Sequence, residues 1–176
     1  MYRSRHASPH AAHARAPLYT AAERSRRDAT PWTLVQGVLA PVQFLAFALS
    51  LVLVLRYLAT GEGLFAASVS FLIKTVLLYT IMVTGSLWEK VVFGRWLFAP
   101  AFFWEDVFSF LVLALHTAVI VAMATDALDP RARMLLALAA YAAYVINAGQ
   151  FLLKLRAARL QEAGARQCAV AMEVAR

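Results

Sequence analysis

Residues 85–117 read GSLWEKVVFGRWLFAPAFFWEDVFSFLVLALHT: one apolar segment ends, a short aromatic and charged connection follows, and a second apolar segment begins. Three of the chain's four tryptophans (Trp88, Trp96 and Trp104) stand here beside Glu89, Lys90, Arg95, Glu105, Asp106 and His116. Each flanking segment is long and apolar enough to cross a bilayer, so the connection lies at one membrane edge. Segments that only anchor a protein have no use for so many ionisable and aromatic side chains at one edge. This stretch is therefore read as the working site.

The composition outside it agrees. The 176-residue chain is 62% hydrophobic and only 15% charged, too apolar for a soluble domain of this length. The expected fold is all-α: an integral membrane four-helix bundle at 30–155, with spans near 32–57, 64–88, 101–125 and 132–155. A basic disordered tail, 1–29, precedes it and a cytoplasmic C-terminal tail, 156–176, follows. The net charge of +7 is concentrated outside the apolar segments, which suits an anionic lipid surface rather than a nucleic-acid groove. The single cysteine, Cys168, excludes an internal disulfide and a CxxC metal site. The first apolar segment is too long for the core of a secretory signal, and no cleavage motif follows it.

Within the spans the polar residues keep helical spacing. Thr30 and Pro31 read as N-cap and first residue of the first span, and Pro41 as a bend within it. Gln36, Ala40, Gln43 and Phe47 fall on one face, which should turn inward. Asn147, Gln150 and Lys154 form a matching stripe on the fourth span, where Ala139 and Ala143 make a small-residue pair suited to close packing. Lys74 interrupts the second span; a lysine at that depth costs roughly 2.5–3.5 kcal/mol and needs a partner, water or substrate. In the N-terminal tail, His6, His10 and His13 could chelate a metal only if that piece were helical, and a solvated basic tail is the simpler reading.

Topology follows from the positive charges. Four spans put both tails and the central connection on one side, and that side carries most of the arginines and lysines. The opposite side holds only Arg56, Arg131 and Arg133, so the termini are expected in the cytoplasm. All four tryptophans fall at that same edge, which would suit a flat aromatic ligand docking from the cytoplasmic leaflet.

On the third span Glu105, Ser109, Val112 and His116 share a face, with Glu105 and His116 about 16 Å apart along the axis. Acids at a helix N-terminus are favoured by the helix dipole, which alone would explain Glu105 and Asp106. Two neighbouring carboxylates against an apolar wall also repel one another, and one of them could then keep a proton and act as a general acid. His116, near mid-bilayer, reads first as a packing hydrogen-bonder, and otherwise as a ligand to a tetrapyrrole metal or a proton-transfer group. Glu89 and Lys90 read as an interfacial pair that the connection can bring to Glu105.

The stretches RDATPWTLVQGVLAPVQFL, LRYLATGEG, IMVTGSLWEKVVFGRWLFAPAFFWEDVFSFLVLALHT and YVINAGQFLLKLRAARLQ resemble the 3-vinyl bacteriochlorophyllide hydratase family of bacteriochlorophyll biosynthesis. The likeness runs from about residue 18 to 161, leaving out only the tails. It implies hydration of the C3 vinyl group of a magnesium chlorin or bacteriochlorin to a 1-hydroxyethyl group, in a bacterial inner or photosynthetic membrane. Neighbouring pigment-biosynthesis enzymes are candidate partners, and no cofactor is called for. Markovnikov addition of water needs a proton donor, a positioned water and an apolar wall.

On this reading Glu105 or Asp106 donates the proton, and the other acid or Glu89 orients the water. Trp88, Trp96 and Trp104, together with the phenylalanines, stack on the ring. Lys90 or Arg95 meets its propionate, or Lys74 does if the ring enters deeply. His116 is a candidate ligand to the substrate's magnesium. Two other readings are a tetrapyrrole carrier without chemistry and an ion- or proton-conducting bundle using Lys74 and His116.

Overall fold

A computed structural model of the protein describes residues 18–175. They form five helices: α1 (Ala21–Ala29), α2 (Pro31–Thr60), α3 (Leu64–Phe93), α4 (Phe103–Thr125) and α5 (Pro130–Val174). No strand occurs among the described residues. The helices α2 to α5 are long and apolar enough to cross a membrane. At 1.5 Å per residue α2 is about 45 Å long, more than the roughly 30 Å hydrocarbon core requires.

Local signals explain the ends. Thr30 caps α2 through Oγ1, which accepts the Trp32 N–H at 3.4 Å, and Pro31 takes the first helical position. At the other end Gly61 adopts φ +77 and returns its N–H to Tyr57 O at 2.8 Å, a conformation with no steric penalty for glycine. Pro41 lies inside α2 without ending it. Asp129 caps α5 by accepting the N–H groups of Arg131 (2.9 Å) and Ala132 (3.1 Å).

The helices pack as two antiparallel hairpins, α2 with α3 and α4 with α5, closed into a bundle by the seams α2–α5 and α3–α4. The first hairpin is pinned by Gln36 Nε2 donating to Thr84 Oγ1 (2.8 Å) and Trp88 Nε1 donating to Thr33 Oγ1 (2.9 Å). The second is pinned by Asn147 Nδ2 donating to Ser109 Oγ (2.8 Å) and by a Lys154–Glu105 ion pair. Across the seams, Ser50 hydrogen-bonds Tyr141 (2.5 Å) and Lys74 meets His116 (2.7 Å).

Polarity runs inside out. Gln43, Ser50, Lys74, Thr75, Ser109, His116 and Asn147 are buried, while Leu34 is 72% exposed and Leu45, Leu49, Val52, Phe65, Val76 and Ile146 are also exposed. Water would not tolerate that exterior. A hydrocarbon phase would, and it would also force the polar groups inward to find partners. With four helices long and apolar enough to cross a membrane, this arrangement fits a multi-pass membrane protein.

Three expectations differ from the structure. Residues 21–29, assigned to a disordered tail, form α1, started by a capping box in which Thr20 and Glu23 bond each other's backbone N–H. It is held by Arg26 Nε donating to Val92 O (2.8 Å) and by an Arg27–Glu162 ion pair (2.9 Å), contacts remote in sequence. The tail before residue 18, including His6, His10 and His13, lies outside the described residues. Residues 156–174, expected as a tail, continue α5 beyond the bundle. Of the predicted alanine pair Ala143 is buried but Ala139 is exposed, and Ala137 and Ala140 supply the other inward small residues, one turn offset.

The seam between α2 and α5 has one unresolved demand. Both amide atoms of Gln43, Asn147 Oδ1 and Gln150 Oε1 are buried without a protein partner. Each such atom costs about 1–3 kcal/mol. Gln43→Met keeps the length and removes two of them, so it is expected to raise the thermal midpoint in detergent by a few degrees. A lowered midpoint would show that Gln43 is paired in the folded protein.

Candidate functional site

The site forms where α3 ends and α4 begins. Gly94 stops α3 at φ +77, its N–H returning to Lys90 O at 3.1 Å. The segment 94–102 then folds back over the bundle end and closes with Phe102 N–H donating to Ala99 O (2.8 Å). Two successive backbone donors on this strap point inward. Ala99 N–H donates to Glu89 Oε2 (3.2 Å), and Phe98 N–H donates to Asp106 Oδ2 (2.8 Å). Phe98 adopts φ +58, rare for a bulky side chain, to aim its N–H this way.

The strap thus holds Glu89 of α3 and Asp106 of α4 through the N–H groups of adjacent residues, which brings the two side chains together at the bundle end. Both residues are buried. A hydrogen bond between two carboxyl groups exists only if one of them carries a proton. Two carboxyl groups brought together in a buried setting can share one proton.

Glu105, one residue earlier, points elsewhere. Its Oε2 accepts from Lys154 Nζ of α5 at 2.5 Å. The Lys154 ammonium also sits 5.1 Å above the Phe102 ring. The sequence left Glu105 and Asp106 as interchangeable candidates. The structure separates them into an ion-paired carboxylate and a member of a carboxyl pair.

The aromatic residues divide in the same way. Trp88, expected to stack on a ligand, is packed inside against Phe93 (5.7 Å between ring centres) and Phe102 (5.8 Å), its indole N–H on Thr33. Trp96 and Trp104 face outward, 57% and 72% exposed. Phe98 stacks on Phe110 (5.6 Å, 14° between planes) and lies 5.7 Å from Phe103 between ring centres, and Phe103 meets Trp104 edge-on (5.4 Å). The result is an exposed aromatic platform joining the strap, through Phe98, to the first turns of α4. Lys90 Nζ donates to Gly94 O (3.1 Å) and lies 5.7 Å from the Trp96 ring, and Arg95 is exposed beside it.

Lys74 and His116 do not join this site. Both are fully buried deeper in the bundle, at 0% exposure. His116 Nδ1 lies 2.8 Å from Val112 O, which fixes that nitrogen as the donor and leaves Nε2 to accept from Lys74 Nζ at 2.7 Å. The imidazole stacks on Phe71 (5.3 Å, 17°), and the ammonium lies 4.0 Å from the Tyr144 ring centre. Both ring nitrogens of His116 are thus engaged within the protein, and Lys74 is wholly buried. Among the described residues no group of three His, Cys, Asp or Glu side chains could hold a metal ion.

Sequence reasoning named the phenylalanines only as a class, and it missed the strap's two donors and the partnership of Lys154 with Glu105. Gly94 and Pro100 mark the strap, and the stripe of Asn147, Gln150 and Lys154 did signal an inward-facing lysine.

A family model described as 2-vinyl bacteriochlorophyllide hydratase matches residues 19–157. Among curated proteins, the 2-vinyl bacteriochlorophyllide hydratase of Rhodobacter capsulatus is 71% identical over 149 residues, covering 85% of this chain and 86% of the relative. The protein of the same name from Cereibacter sphaeroides is 70% identical over 154 residues, covering 87% of this chain and 94% of the relative. No solved structure matches the chain.

Proposed function

The chain belongs to the 2-vinyl bacteriochlorophyllide hydratase family, and we propose from this and from the Glu89–Asp106 pair how it works. It is a hydro-lyase of bacteriochlorophyll synthesis that adds water across the vinyl group of a (bacterio)chlorophyllide. The vinyl group numbered 2 in the relatives' names is the C3 vinyl group in the ring numbering used above.

The reaction begins when the Glu89–Asp106 pair protonates the terminal vinyl carbon. The resulting cation, at the carbon attached to the ring, is delocalised into the macrocycle, and water adds there to give the 1-hydroxyethyl group. The observation that carries this reading is the buried pair of facing carboxyls: a carrier that only held pigment would have no use for it. Asp106 and Glu89 are preferred to Glu105 as the donor because Glu105 is committed to Lys154.

Trp96, Trp104 and the Phe98–Phe103–Phe110 platform receive the flat ring from the bilayer side, and Lys90 or Arg95 meets its propionate. The arginines and lysines of both tails and the strap support a cytoplasmic position for this edge, in a bacterial inner or intracytoplasmic photosynthetic membrane. The substrate is then taken from the cytoplasmic leaflet, where enzymes of the same pigment route could hand it over.

Purified protein incubated with chlorophyllide should give a product heavier by one water, with its red absorption band shifted to the blue. Pigment returned unchanged would sink the reading. Trp96→Ala and Trp104→Ala are each expected to raise KM about tenfold with kcat little altered, the signature of lost uniform binding. An unchanged KM in both would remove the platform from the substrate site.

A further inference from the structure

We propose that Lys154 of α5 is a positioning residue that holds Glu105 as the carboxylate base for the attacking water. This rests on the hydratase reading and assigns the half of the reaction that the Glu89–Asp106 pair cannot perform. A group that has just given its proton to the vinyl carbon still has to be distinguished from the group that takes one from water.

The geometry divides those tasks between two sides of α4. Asp106 faces α3 and the strap, while Glu105 faces α5. There it meets Lys154 Nζ at 2.5 Å through Oε2. Lys154 is its one ion-pair partner among the described residues, and Oε1 accepts from no protein donor there. Glu105 is therefore an anchored anion with one oxygen left for water.

Three further contacts fix the anchor. The ammonium lies 5.1 Å from the Phe102 ring centre, and Phe102 stacks on Phe151, one turn before Lys154 (5.9 Å, 21°). Ser109 Oγ donates to Glu105 O (2.9 Å) and accepts from Asn147 Nδ2 (2.8 Å), tying the first turns of α4 to α5. A lysine half-buried among aromatic rings, with a single carboxylate, holds that carboxylate in place far better than an exposed pair would.

The step balances without any co-reactant. The acid O–H bond breaks as a C–H bond forms at the terminal vinyl carbon. Water then forms the C–O bond at the adjacent carbon, and one of its O–H bonds breaks, passing the proton to Glu105 Oε1. Glu105 releases that proton to solvent while the Glu89–Asp106 pair takes one up, so the net change is one added water and no change of redox state. The same carboxylate, one residue from the donor, also stabilises the transient cation electrostatically.

The test is steady-state hydration of chlorophyllide by Lys154→Met, Lys154→Arg, Glu105→Gln and the double variant Lys154→Met/Glu105→Gln. Lys154→Met should lower kcat about tenfold or more with KM within about threefold of wild type, and Lys154→Arg should recover most of the rate. Glu105→Gln should lower kcat about a hundredfold. In the Glu105→Gln background, Lys154→Met should cost nothing further, because it acts only through Glu105. A purely structural lysine would instead slow both backgrounds equally, and that result overturns the proposal. So does wild-type turnover in Glu105→Gln, which would show that the water needs no base at this position. If wild-type protein itself converts no pigment, the hydratase reading fails; if it converts pigment and these variants match it, only the role of Lys154 fails.

Discussion

Asp106→Asn is expected to yield a folded, pigment-binding protein whose hydration rate is lower by about 10²–10⁴, the range for loss of a general acid. The substitution is nearly isosteric, and the asparagine Oδ1 can still accept the Phe98 N–H that Asp106 Oδ2 accepts at 2.8 Å. What disappears is the carboxyl group that can share a proton with Glu89. Glu89→Gln should behave similarly, because the pair acts as a unit and either half alone is an ordinary side chain with one backbone donor. The two losses should therefore be far from additive: Glu89→Gln/Asp106→Asn should be hardly slower than the worse single variant. Turnover is read from the gain of one water in mass and from the shift of the red band. Wild-type rates in both single variants would exclude the pair as the acid.

The second large effect concerns stability. His116→Leu is expected to destabilise the bundle by about 1–3 kcal/mol, the cost of leaving a buried polar group without its hydrogen-bond partner. It leaves Lys74 Nζ, wholly buried between α3 and α4, with only the ring faces of Tyr141 and Tyr144 near it. The double variant Lys74→Met/His116→Leu removes both demands and should regain most of the loss, since an apolar pair of similar volume can replace a buried polar one. Denaturant or thermal unfolding in detergent measures both. Folded His116→Leu protein should still hydrate pigment, because His116 lies about three helical turns from Glu105 and both its nitrogens are engaged in the protein. Retained stability together with lost pigment binding would restore His116 as a magnesium ligand and contradict this assignment.

These predictions show which parts of the site can be read from the chain. The four spans are legible because lipid imposes a length and an apolar exterior that few other environments would allow. Their ends are legible where one residue supplies the signal, as Thr30, Pro31, Gly61 and Asp129 do. Helix α1 is not legible: its face is short and polar, and its attachments are Arg26 to the Val92 carbonyl and Arg27 to Glu162, contacts 66 and 135 residues apart in sequence.

The site follows the same rule. That Glu89 and the acids of α4 meet could be inferred from the short connection, because both of its ends sit at one membrane depth. That Asp106 takes the Glu89 side could not, since the choice depends on Lys154, 49 residues beyond Glu105. His116 and Lys74 were individually conspicuous, and only their mutual contact turns two candidate ligands into a buried latch. Trp88 and Trp104 look alike in the sequence, and the side of the strap on which each falls makes one a packing residue and the other part of the platform.

The most direct measurement is a structure of Asp106→Asn in a lipid or detergent environment with chlorophyllide bound and unturned. The account predicts the macrocycle against Trp96, Trp104 and Phe98, with the terminal vinyl carbon within about 4 Å of the Glu89 carboxyl group or of the amide that replaces the Asp106 carboxyl, a near-attack separation. A ring bound with its vinyl group between the hairpins, beside Lys74 and His116, would contradict it.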